Sequence, residues 1–283
     1  MARKISVSML SAYIYCKRKL FLEYVLGLFE PEKEALVKGT IRHDTYDQVN
    51  KVEEEIVIGI TEKDTLETIY RRYLTTYSAL LRMAITKNKY RLQSVKLPLI
   101  NAYEQIIPFF RQESEIRAMN IYNFICLHKF YGKELWDKLT PKIQSEFKID
   151  SESLELKGII DQIEIHPTGK VPIELKTGSM PDEGVWPGHR IQLGAYALLM
   201  EEKFGEEIKE GFVVYLDKQE RRHIAINPFL RQEVKEIKDK VRGLLADKKI
   251  PDAEENENKC KVCGLRNQCF DKEMLEMKVN LLK

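Results

Sequence analysis

The stretch 158–178, GIIDQIEIHPTGKVPIELKTG, constrains what this 283-residue chain can fold into more than any other. Two apolar, alternating runs flank His166-Pro167-Thr168-Gly169, which reads as a β-hairpin. A period of two puts Asp161 on one face with Ile159, Ile163 and Ile165, and sets Glu174 and Lys176 apart from Val171, Ile173 and Leu175. A carboxylate among core-facing residues calls for a cation, a hydrogen-bond network or a raised pKa, because burying it ionised and alone costs several kcal/mol. With Lys170 opposite Ile165, the antiparallel register sets Asp161 opposite Glu174. Facing carboxylates destabilise a sheet, and a divalent cation between them reverses that sign. Oxygen ligands favour Mg²⁺ or Mn²⁺ over zinc. Lys176 reaches the same locus, where it can orient a water or balance charge on a phosphate. The plainer alternative is an edge hairpin with Glu174 and Lys176 solvated and Asp161 displaced by a bulge.

Around this hairpin the chain reads as α/β. Apolar spacing predicts one helix over 6–26, capped by Ser6 or Ser8 and containing Cys16, and a second starting near Gly39 and carrying His43, Tyr46 and Val49. From 62 to 131 the pattern is helical, with breaks expected at Pro98 and Pro108. That segment holds 11 basic against 6 acidic residues and seven of the 13 tyrosines. Basic residues interleaved with aromatics suit single-stranded nucleic acid, but a helical hairpin with a buried aromatic face is the preferred reading. Strands are predicted over 142–149, 154–165, 171–176, 211–217 and 221–226, with helices over 188–204 and 228–247. His43 is a candidate metal ligand through an imidazole nitrogen. Gln192 and Tyr196, four apart on one helical face, can position a nucleic-acid backbone or Lys176.

No apolar run approaches the roughly 18 residues that span a bilayer, and MARKISVSMLSAY lacks the apolar core of a signal peptide, so a cytoplasmic protein with no membrane association is expected. In that reducing compartment five cysteines argue for metal rather than disulfides. Cys260-x-x-Cys263-x₅-Cys269 supplies three thiols and wants a fourth. Cys126, in the apolar NFICLHKF, reads as a buried free thiol; Cys16, followed by Lys17-Arg18-Lys19, reads as the missing ligand in electropositive surroundings. Spacing alone leaves structural zinc and an iron–sulfur cluster both open.

Taken in order, Cys16 in YCKRKLFL, Gly39 and His43 in KGTIRH, Asp161 in GIIDQIEI, Glu174 and Lys176 in IELKTG, Gln192 and Tyr196 in QLGAY, and the cysteine triplet resemble the RecB-like nucleases of the PD-(D/E)XK superfamily. More narrowly, they resemble the iron–sulfur exonuclease family associated with CRISPR adaptation. The resemblance covers about 1–50 and 142–270 and implies a restriction-endonuclease-like mixed sheet core flanked by helices. Its parts would be an amino-terminal helical part over 1–54, a helical insertion over 55–140, a nuclease core over 141–250 and a cluster-binding region over 251–283. It also implies that His43, Asp161, Glu174 and the backbone carbonyl of Leu175 bind the catalytic Mg²⁺ or Mn²⁺, and that Lys176 assists the attacking water. Cys16, Cys260, Cys263 and Cys269 would hold an iron–sulfur cluster, with 4Fe-4S preferred over 2Fe-2S. The implied activity is exonucleolytic degradation of single-stranded DNA or DNA ends, 5′ to 3′, trimming spacer precursors beside the CRISPR integrase, and a homo-oligomer is compatible with it. Two other expectations stand beside this one: a general repair or viral end-processing nuclease, and a non-catalytic DNA-end-binding subunit.

Overall fold

The computed structural model describes residues 4–254 and 256–281, so the outermost residues of the two terminal segments, and residue 255, lie outside the described residues. The chain opens with β1 (Ile5–Ser6) and α1 (Val7–Tyr15). Ser6 caps α1 by accepting from the Met9 amide at 3.3 Å. The single helix expected over 6–26 is two helices. Cys16 is extended (φ −164°), and its sulfur accepts from the Lys19 amide at 3.3 Å, capping α2 (Lys17–Tyr24). Apolar spacing continues across the junction, which is why periodicity alone does not report it.

Next comes α3 (Glu34–Ile58), which begins five residues before Gly39 and carries His43 in its interior. Then follow α4 (Leu66–Lys87), α5 (Lys89–Ser94), α6 (Leu99–His128) and α7 (Gly132–Lys138). Pro98 marks a helix boundary as expected, but Pro108 does not break α6. Pro108 and Glu104, whose carbonyl loses its partner, both face solvent, while Ile106, Ile107 and Phe110 hold the helix from its buried side. On α4, Ile69, Tyr73, Tyr77, Leu81 and Ile85 recur every four residues and are buried, and Tyr77 stacks on Phe110 at 4.8 Å between ring centres. The helical hairpin with a buried aromatic face is therefore the arrangement found, and these two α4 tyrosines are closed to bases.

The sheet comprises β2 (Lys142–Ser151), β3 (Leu156–His166) and β4 (Gly169–Lys176), then, after α8 (Pro187–Phe204), β5 (Glu210–Tyr215) and β6 (Glu220–Ala225). Its order is β1-β3-β4-β5-β6, with β2 also paired to β3. The β3–β4 and β5–β6 pairs are antiparallel, whereas β4 and β5 are parallel and joined through α8. Pro187 at the first turn and left-handed Gly205 (φ 68°) set the limits of α8. One face of the sheet packs on α1, α8 and α9 (Pro228–Ala246); the other, through Ile173, Leu175 and Leu216, shares a core with α3, α4 and α6. This is the expected mixed α/β core flanked by helices. The chain closes with α10 (Glu257–Val262), α11 (Arg266–Phe270) and α12 (Lys272–Asn280), whose Leu275 joins Leu265, Phe21, Leu22, Leu26 and Leu28 in a third cluster. Among the described residues no helix is long and apolar enough to cross a membrane.

Candidate metal centre and cysteine pocket

The hairpin has the register read from the sequence, with Ile165 opposite Lys170 and Gln162 opposite Ile173. The ladder ends there, and the Leu175 amide donates instead to Asp161 Oδ2 at 2.7 Å. The expected company of Asp161 needs correction: Ile163 is buried, but Ile159 and Ile165 are 44% and 36% exposed. Alternation along a strand reports sidedness, whereas helices cover each face over only part of its length.

Glu174 is 2% exposed. Its Oε1 accepts from Lys176 Nζ and from Gln192 Nε2, both at 2.5 Å, while its Oε2 is buried without a partner. Lys176 Nζ also donates to Gln192 Oε1 at 3.1 Å, Gln192 Nε2 to the Tyr196 hydroxyl at 3.2 Å, and that hydroxyl to the Ile159 carbonyl at 2.7 Å. Glu174, Lys176, Gln192 and Tyr196 thus form one network tied to β3. A Cβ at Gly158 would lie 2.7 Å from the Tyr196 ring, so the approach of α8 to β3 requires glycine there.

Gly39 brings α3 against the end of β4, where a Cβ would meet Thr177 Oγ1 at 3.2 Å. One turn on, His43 Nδ1 stands 3.7 Å from Asp161 Oδ1 and 3.8 Å from Glu146 Oε1. Glu146 is absent from the sequence reading. Its only signal is the β2–β3 register, which a lone acid in KIQSEFKI does not reveal. Burial first, then the Glu174 charge, pushes the Asp161 carboxyl up to about 7 despite His43, Lys176 and the Leu175 amide. Burial alone would lower His43 and Lys176, but Glu146, Asp161 and Glu174 hold the imidazole above its ordinary value, and Glu174 with Asp161 does the same for the ammonium. A cluster of carboxylates with one imidazole, one of them keeping its proton to neutrality, has the donor chemistry of a hard divalent-cation site. Leu175 lies between Glu174 and Lys176 with its side chain buried on the α3 side of the sheet.

In a separate pocket Cys16, Cys260, Cys263 and Cys269 converge with Tyr15, Lys19 and Glu254, whereas Cys126 is exposed on α6 rather than buried. Arg18 donates to the Pro251 carbonyl at 2.9 Å and the Cys269 carbonyl at 2.8 Å, and the Gly264 amide donates to Glu30 at 2.9 Å. The electropositive setting expected for Cys16 is not what governs it. Burial holds its thiol above the ordinary value, because Arg18 is engaged by carbonyls and Lys19 by Glu30 at 3.0 Å.

The chain is 31% identical to a CRISPR-associated exonuclease Cas4/endonuclease Cas1 fusion of Leptospira interrogans serogroup Icterohaemorrhagiae serovar Lai (strain 56601), over 51% of this chain and 28% of that protein. It is 30% identical to a CRISPR-associated exonuclease Cas4 of Francisella tularensis subsp. novicida (strain U112), over 44% of this chain and 61% of that one. A DNA replication ATP-dependent helicase/nuclease dna2 of Schizosaccharomyces pombe (strain 972 / ATCC 24843) is 22% identical over 90% of this chain and 17% of its own length. The chain spans less than two thirds of each of these relatives. The model of the PD-(D/E)XK nuclease superfamily matches residues 4–270, which take in the whole sheet, its flanking helices and the cysteine pocket, and the chain belongs to that superfamily.

Proposed function

We propose that this chain is a divalent-metal-dependent DNA exonuclease that shortens single-stranded DNA from its 5′ end and trims new DNA segments beside a CRISPR integrase. The observation that carries this reading is the Asp161–Glu174–Lys176 set, with His43 above it and one buried, unpartnered carboxylate oxygen on Glu174. The exonuclease and Cas1-fusion names of the relatives support the pathway.

In this reading His43, Asp161, Glu174 and the Leu175 carbonyl hold Mg²⁺ or Mn²⁺. The orphaned Glu174 oxygen and the proton retained by Asp161 fit such an ion. When bound, the ion supplies Lewis acidity at the phosphodiester and lowers the pKa of water. Lys176, fixed by Glu174 and Gln192, orients the attacking water and offsets charge building on the phosphate. Gln192 and Tyr196 keep Glu174 and Lys176 in place against β3. Cys16, Cys260, Cys263 and Cys269 hold a four-iron iron–sulfur cluster, which the convergence of four thiols on one pocket fits. The cluster ties the first helices to the tail and takes no part in hydrolysis.

The test is incubation of anaerobically purified protein with Mn²⁺ and single-stranded DNA labelled at either end, wild type beside Asp161→Ala. Progressive shortening by wild type alone, with the 5′ label released first, is expected. No cleavage by either protein, with iron still bound, overturns the reading in favour of a non-catalytic DNA-end-binding subunit. One observation favours a second enzyme reading: the likeness to the helicase/nuclease covers 90% of this chain, too much to omit the whole helical stretch over 55–140. Activity on replication or repair intermediates, without co-purification of an integrase, would support it.

A further inference from the structure

Glu146 stands on β2 at the register position facing Asp161, between the pairs Ser145–Gln162 and Phe147–Ile160. It is the one residue within β2 with a left-handed backbone, φ 49°. The neighbouring Ser145 is held from the helical side: Asn50 Nδ2 on α3 donates to its hydroxyl at 2.5 Å, and Arg117 on α6 donates to Asn50 Oδ1 at 2.8 Å.

One ligand atom each from His43, Glu146 and Asp161 lies within 4.8 Å of the other two. Two ligands each about 2.1 Å from a common Mg²⁺-sized ion are at most about 4.2 Å apart, so a slight inward movement suffices to share one. A second observation points the same way. The neighbouring Glu174 is 2% exposed and keeps Oε2 without any donor, although Lys176 and Gln192 both serve Oε1. Three carboxylates therefore face one ammonium and one imidazole, an excess of negative charge that a divalent cation removes.

We propose that Glu146 is a further side-chain ligand of the divalent ion, holding it from the β2 side and setting how tightly the site binds metal. This rests on reading the site as a nuclease metal centre.

The experiment is a calorimetric titration with MnCl₂ of the full chain, purified with its cysteine pocket loaded, comparing wild type, Glu146→Gln and Glu146→Gly. Glutamine keeps the shape and the Cβ of the native side chain without its charge, and glycine tolerates the left-handed backbone, so neither variant adds strain at φ 49°. Metal-free melting temperature is recorded for each protein. Expected is a loss of at least about tenfold in Mn²⁺ affinity in both variants, with an equal rise in the Mn²⁺ concentration giving half-maximal DNA cleavage. Mn²⁺ affinity within twofold of wild type in Glu146→Gly overturns the assignment, and so does a wild type that binds no Mn²⁺. If wild type binds Mn²⁺ through Glu146 yet cuts no DNA, the ligand stands and the nuclease reading falls. If wild type cuts DNA and both variants bind Mn²⁺ normally, only the ligand assignment falls.

Discussion

On the proposed reading, a proton and a cation compete for the Asp161 carboxylate. Burial and Glu174 hold its pKa near 7, against about 4 for an unfolded aspartate. The metal-free folded chain therefore keeps a proton that the unfolded chain releases, and its stability falls as pH rises from about 4 to about 7. His43 is held above its ordinary value by Glu146, Asp161 and Glu174, so on the same reading it too sheds a proton when the ion binds. Mn²⁺ affinity should rise about tenfold per pH unit below about pH 7, where Asp161 keeps its proton, with any proton still held by His43 adding to that slope. Calorimetry in two buffers of different ionisation enthalpy measures the protons released, and a flat affinity from pH 5.5 to 8 would contradict this account. The meeting of Glu174 with Lys176, and of Gln192 with Tyr196, is legible in the sequence because strand and helix periods act over two to four residues. Glu146 reaches Asp161 only through pairing between strands, and nothing local in KIQSEFKI records it.

Among the elements, the helical stretch over α4–α6 depends on one buried cation. Arg117 donates to Glu53 at 2.7 Å and to Glu113 at 3.0 Å, and lies over the rings of Tyr46 and Tyr77. Arg117→Met keeps the volume but leaves two carboxylates without their cation, and should cost about 3–5 kcal/mol. Chemical denaturation checks it; a loss below about 1 kcal/mol would mean that Glu53 and Glu113 find other partners. Helix periodicity revealed that the stretch over 62–131 is helical with a buried aromatic face, which α4 and α6 supply. It misplaced two junctions for different reasons: the break expected at Pro108 is absent because the Glu104 carbonyl that it leaves unpaired faces solvent, and the break at Cys16 was not foreseen because its own sulfur caps the next helix.

On the scale of the whole molecule, the end of α2, the residues that follow it and the tail form a cluster of their own beside the core built on the sheet. Phe21, Leu22, Leu26 and Leu28 pack with Leu265 and Leu275, and Arg18 reaches both Pro251 and Cys269. Arg18→Ala should loosen that unit by about 1–3 kcal/mol while leaving the β3–β4 site intact. Limited proteolysis checks it, with earlier cleavage near 252–258 expected and Asp161-dependent DNA cleavage unchanged. The mixed sheet was legible as alternating runs, but β1 was not, since two residues pairing in parallel with Leu156 and Lys157 carry no period of their own.

The pocket that joins Cys16 to Cys260, Cys263 and Cys269 also imposes an order in time. During synthesis Cys16 leaves the ribosome with the first helices, and the last thiol emerges only after every strand of the sheet has been made. A chain that stalls before Cys269 lacks a donor, however well its sheet has folded. On the proposed reading, loading of the pocket waits for that residue, and the thiol quartet separates chains translated past Cys269 from those interrupted before it.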